Sequence, residues 1–236
     1  MTPRHGTSRR IATALVVSLV LALGTSPATA AAIEDTVLPP EQHTSPKGQA
    51  LAARHGVMLR ELSHSIYHCM PWVEVKKHGL GFYKPKHLPG DVRYVSINMY
   101  IDQQPSPEFS AYTVEERASR MFSRYVGPMV RRLATRSLLR EPELDGFTVI
   151  LEWLKQMPAA GARPVHETIA VFLDKRTAEA YLAGRLPGHD LAVQARVLGW
   201  DGETALGPLR LVSWDDDFVT TYKVQNYQLA PGVTCP

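Results

Sequence analysis

Apolar residues recur along this chain with two periods, and the switches between them mark out its elements. From Arg93 to Asp102, Val95, Ile97, Met99 and Ile101 alternate with Tyr94, Ser96, Asn98 and Tyr100, the two-residue period of a strand with one buried face. Gly146 to Lys155 repeats the alternation through Phe147, Val149, Leu151 and Trp153, and His166 to Leu173 repeats it through Ile169, Val171 and Leu173. Between the first two runs, Thr113 and Glu116 have the spacing of a capping box. Val114, Ala118, Met121, Phe122, Tyr125, Met129 and Leu133 then follow at helical spacing. Pro128 lacks an amide hydrogen and crowds the preceding turn, so Gly127-Pro128 must kink or divide that helix. After the third run, Asp174 caps a short helix containing Ala178, Tyr181 and Leu182, which Gly184 closes. Leu191 to Trp200 predicts another strand through Val193, Ala195 and Val197; Asp201-Gly202 turns the chain, and Leu209 to Trp214 predicts an antiparallel return.

Upstream, Ser45-Pro46 is a helix start, with serine as cap and proline at the first helical position. Leu51, Met58, Leu62, Ile66 and Cys69 give that helix one apolar stripe, and Pro71 stops it. Trp72 to Val75 and Gly79 to Tyr83 read as two short strand-like runs, Pro89-Gly90-Asp91 as a turn, and Gln103 to Tyr112 as a loop. The central order is β-α-β-β-α-β. It predicts an α+β fold: an antiparallel sheet with helices packed on one face, on the ferredoxin-like, split βαβ plan, with an N-terminal helix and a C-terminal hairpin added.

The ends change this picture. Arg4, Arg9 and Arg10 precede an apolar run from Ile11 to Leu23, and Ala28-Thr29-Ala30 supplies small residues for cleavage, so residues 1–30 read as a signal peptide. As a helix the apolar run rises about 20 Å, short of the roughly 30 Å hydrocarbon core, so no membrane span is expected after cleavage. Residues 31–44 are polar with Pro39-Pro40 and read as a flexible lead-in to one domain at 45–236. The expected location is exported, periplasmic or extracellular. There Cys69 and Cys235, the two cysteines of the chain, are expected to pair.

Charge follows the same cut. Without the three arginines of residues 1–30, the 26 Lys and Arg fall to 23, equal to the 23 Asp and Glu. A neutral mature chain lacks the basic surplus that phosphate backbones demand, so nucleic acid is not an expected partner. Basicity is local: Arg117, Arg120, Arg124 and Arg131 lie along the long helix, with Arg132, Arg136 and Arg140 beyond. They form a candidate surface for an anion or an acidic partner, against the plainer reading of a solvated face neutralised by the acidic C-terminal third.

Candidate chemistry is sparse. Walker, His-Glu-x-x-His, Gly-x-Ser-x-Gly and Cys-x-x-Cys patterns are absent from the sequence, and no cofactor is predicted. His166-Glu167 begins a zinc-peptidase pattern that Ala170 interrupts. Glu61, His64 and His68 share one helix face and are the candidate metal ligands. Asp215 and Asp217, with His166, are the candidate polar set of a hydrolase. The leading expectation is a non-catalytic binding or interaction protein contacting an envelope component through its sheet or its arginine helix, with an envelope hydrolase and a metal-binding protein as alternatives.

Overall fold

Ser45 starts the first helix through a local bond. In the computed structural model, which describes residues 36–102, 104–212, 232 and 234–235, its Oγ accepts from the Gly48 amide at 3.1 Å and opens α1, Pro46–Cys69. Leu51, Leu59, Leu62 and Ile66 of α1 are buried against strand β1, Val73–Tyr83. The signal segment expected at 1–30 and residues Trp214, Asp215 and Asp217 lie outside the described residues.

The described part of the lead-in is packed, which corrects the expectation of a flexible segment at 31–44. The Leu38 amide donates to the Leu80 carbonyl at 2.8 Å and the Leu80 amide to the Thr36 carbonyl at 3.0 Å, so residues 36–38 cover the outer edge of β1. An uncovered edge would leave those groups to any passing strand. Thr36 Oγ1 lies 2.6 Å from Ser63 Oγ of α1, and His43 is buried with its Nδ1 3.1 Å from the Phe82 carbonyl oxygen. A carbonyl only accepts, so Nδ1 carries the proton.

Burial, and to a lesser degree the charge of Arg93, pull the His43 pKa below its usual value against the opposing backbone bonds to Phe82 and Leu38. The unfolded chain therefore binds a proton at a higher pH than the folded one, and stability falls as pH drops through the usual histidine value of about 6.5 toward the folded value. We expect the unfolding midpoint to decrease from pH 7.5 to pH 5. His43→Gln, which keeps a donor but not the titration, is expected to flatten that slope in parallel melts.

The remaining strands are β2 (Tyr94–Ile101), β3 (Gly146–Leu154), β4 (His166–Asp174), β5 (Arg196–Asp201) and β6 (Thr204–Pro208). They lie in sequence order across one six-stranded sheet. The sheet is mixed, not wholly antiparallel as expected: β2 and β3 run parallel, and the other pairs antiparallel. A split βαβ leaves room for a strand between its parallel members, whereas Ser96 pairs directly with Thr148 and Ile97 with Val149. The ferredoxin-like order is thus replaced by a simple neighbour-to-neighbour one.

The crossover from β2 to β3 is helical. A short turn of helix, α2 (Pro107–Ser110), precedes α3 (Val114–Met121), where Thr113 and Glu116 make the reciprocal capping box. The helix is then divided as Pro128 requires: Phe122–Val126 form a π-helical turn, followed by α4 (Gly127–Leu133) and α5 (Arg136–Arg140). Asp174 caps α6 (Lys175–Leu182), its Oδ1 accepting from the Thr177 amide at 2.8 Å, and Gly184 follows at φ +70°. Two expectations shift downstream. Residues Gly188–Gln194 form helix α7 and the strand begins only at Arg196; the return strand is β6 at 204–208, and residues 209–212, the described part of the run expected to return, are not in a strand.

Val95, Ile97, Met99 and Ile101 of β2, Phe147, Val149, Leu151 and Trp153 of β3, and Ile169, Val171 and Leu173 of β4 join the helices in one buried cluster. Residues of the other parity face away from the helices. Cys69, the last residue of α1, is disulfide-bonded to Cys235 with 5.6 Å between Cα atoms, as expected. Among the described residues no helix is long and apolar enough to cross a membrane.

Candidate functional site: a concavity on the sheet face away from the helices

The face of the sheet turned away from the helices carries polar side chains in register. Ser96, Thr148, Phe172 and Arg196 stand opposite one another across β2 to β5, and Asn98, Ile150, Ala170 and Leu198 form the next row. Cross-strand neighbours of one parity sit about 5 Å apart, so the two rows make a continuous floor.

A bulge supplies the wall. Val75 lies opposite Met99, but the next pairing is Leu80 with Ile97, so residues 76–79 span the single β2 residue Asn98 and bulge from the ladder. His78 takes φ 52° there, and the Tyr83 hydroxyl donates to its carbonyl. Lys76 reaches past β2 to pair with Glu152 of β3. Gly79 is needed at the foot of the bulge, because a Cβ there would stand 2.7 Å from the carbonyl oxygens of both Asn98 and Lys76. Residues 84–87 close the adjoining side, with the His87 ring set edge-on to Phe172 at 4.7 Å.

Together these elements enclose a concavity of about 300 Å³, floored by Ser96, Asn98, Thr148, Ile150 and Phe172 and rimmed by Lys77, His78, Tyr83, Lys84 and Lys86. That volume is at the small end of the range for ligand pockets. Thr148 is only 2% exposed. Its Oγ1 and the Asn98 Oδ1 are buried without a hydrogen-bond partner among the described residues. Burial first, and the charge of Arg196 second, hold the His87 pKa below its usual value.

The residues singled out from the sequence are distributed differently. Arg117 is not on a partner surface. It is 3% exposed, and its Nε and Nη2 donate to the two carboxylate oxygens of Glu167 at 2.7 and 2.5 Å. Its Nη1 donates to the carbonyls of Ser110 and Tyr112, and Trp153 Nε1 donates to Glu167 at 3.2 Å. The reason is its position one helical turn before Met121, inside the apolar stripe. Arg120, Arg124 and Arg131 lie over the rings of Tyr112, Tyr125 and Tyr181 at 3.7, 5.8 and 4.7 Å, the geometry of cation–π contact.

His64 and His68 do meet on the exposed side of α1, with Nε2 atoms 2.9 Å apart, a distance that one imidazole donating to the other accounts for. No group of three or more His, Cys, Asp or Glu able to hold a metal occurs among the described residues, so Glu61 does not complete the set. His166 packs its ring edge-on to Tyr100 at 5.5 Å. It lies at the opposite end of β4 from Phe172, about 20 Å along the strand, and its expected companions Asp215 and Asp217 are outside the described residues.

No protein-family model, curated protein or solved structure matches this chain.

Proposed function

We propose that this is an exported binding protein, working in the periplasm or outside the cell, whose small ligand occupies the concavity on the face of the sheet turned away from the helices. One observation carries the reading: the buried Thr148 hydroxyl and Asn98 amide oxygen have no hydrogen-bond partner among the described residues, at the floor of a concavity. A buried polar group left unpaired costs about 1–3 kcal/mol, and a ligand bearing matching donors and acceptors relieves that cost on binding. The lining is suited to holding a molecule: hydroxyls and an amide below, Phe172 and Tyr83 beside, lysines at the mouth. The export signal read at residues 1–30 and the Cys69–Cys235 bond support the location.

The test is a ligand-detected NMR screen of a small-metabolite library against the mature, disulfide-intact protein and its Ile150→Trp variant. Ile150 is half-exposed in the floor, so the larger ring fills the concavity without entering the core. We expect compounds that bind the wild type and lose at least tenfold in affinity in the variant, with the thermal midpoint unchanged. Equal binding to both proteins, or no binding to either, overturns the reading.

A further inference from the structure

We infer that the ligand of this concavity is a small organic anion, its phosphate or carboxylate held at the mouth by Lys77, Lys84 and Lys86 and its body laid over Thr148 and Asn98. The inference rests on the preceding reading of the concavity as a ligand site.

Among the described residues the mouth carries Lys77, Lys84 and Lys86, all exposed, and none of the described lining residues is Asp or Glu. Lys84 and Lys86 form no ion pair among the described residues; of the carboxylates along the same face, Glu152 is paired with Lys76 and Asp174 accepts from the Thr177 amide as a helix cap. Arg196 ends the floor row beyond Phe172, and its field already disfavours a proton on neighbouring His87. The ammonium groups of Lys84 and Lys86 beside a cleft with low-dielectric walls concentrate a positive potential there. Lysine binds phosphate and carboxylate as a point charge, without demanding one approach geometry.

The floor asks for something different. Thr148 Oγ1 both donates and accepts, while Asn98 Oδ1 only accepts. The ligand body must therefore present a donor to Asn98 and a hydroxyl-like partner to Thr148. Phe172 and Ile150 beside them favour a ring over a flexible chain. A simple inorganic anion would satisfy the rim and leave the floor unpaired.

The experiment uses matched sets on common ring bodies, each a phosphate monoester, a carboxylate and the uncharged parent alcohol, titrated into wild type, Ile150→Trp, and a triple Lys77→Gln, Lys84→Gln, Lys86→Gln variant. We expect at least one charged member to bind at least tenfold more tightly than its neutral parent. That preference should vanish in the triple variant and shrink as salt rises from about 0.05 to 0.5 M, where exposed charges are screened over a few ångströms. The phosphate and carboxylate arms report which anion is taken. Neutral parents that bind as well as the anions and are blocked by Ile150→Trp sink the anion inference and leave the concavity a ligand site. If no member of any set is blocked by Ile150→Trp, both readings fall.

Discussion

Replacing Arg117 by alanine is expected to lower the unfolding free energy by about 3–5 kcal/mol, the usual result of stripping one partner from a fully buried ion pair. Glu167 is 0% exposed, so the substitution leaves its carboxylate without water and with one weak donor, Trp153 Nε1 at 3.2 Å. The carbonyls of Ser110 and Tyr112 lose their donor at the same time, which loosens the turn that leads into α3. Urea unfolding at constant m-value measures the loss. The double variant Arg117→Met, Glu167→Leu separates the cost of an orphaned charge from the worth of the pair, because apolar side chains of similar volume remove both charges together. We expect it to recover most of the deficit. A loss below about 1 kcal/mol for Arg117→Ala would mean that water reaches Glu167 and that the pair is not sealed.

Breaking the Cys69–Cys235 bond is the other large perturbation. The residues are 166 apart in sequence, and the chain-entropy estimate for so long a loop is about 5 kcal/mol, an upper figure since residual structure in the unfolded chain reduces it. For a chain of this length that corresponds to a fall in the melting midpoint on the order of 10–20 °C. Calorimetry of the Cys69→Ser, Cys235→Ser variant beside the oxidised wild type checks it, and the wild type melted in reductant should approach the variant. A shift of a degree or two would show that the crosslink restrains little of the unfolded chain.

Local signals were the readable ones. Ser45-Pro46, the Thr113–Glu116 box and the Asp174 cap each bond within three residues, and each starts a helix where its sequence says. The alternating runs of β2, β3 and β4 were plain because one parity is apolar apart from Glu167. Helix α7 was hidden: Leu191, Val193, Ala195 and Val197 alternate like a strand, its N-cap is a proline with no side-chain bond, and Val193 is in fact 82% exposed. β6 was hidden for the opposite reason, a short stretch of small residues ending in Gly207-Pro208 that has no pattern of its own. The mixed sheet depends on which strands meet, and no single stretch encodes that.

The concavity was missed because its floor residues, Ser96, Asn98 and Thr148, occupy positions that alternation assigns to solvent. The bulge at 76–79, four residues over the single β2 residue Asn98, and the adjoining residues 84–87 turn that face into an enclosure. A hint existed in the three lysines between 77 and 86. A second hint concerned Arg117: Glu167 has the parity of Ile169, Val171 and Leu173, so a carboxylate pointed into the core and required a buried cation. Arg117 lies in the stripe that faces it.

Because pairing between β1 and β2 resumes with Leu80 opposite Ile97, where an unbroken ladder would place Lys77, the excursion behaves as an inserted cassette of three extra residues. Its length and composition can change while the strands on either side keep their partners, provided a glycine remains at its exit, where Asn98 and Lys76 leave no space for a side chain. Substitutions or length changes in the excursion therefore reshape the wall of the concavity while the scaffold stays as it is.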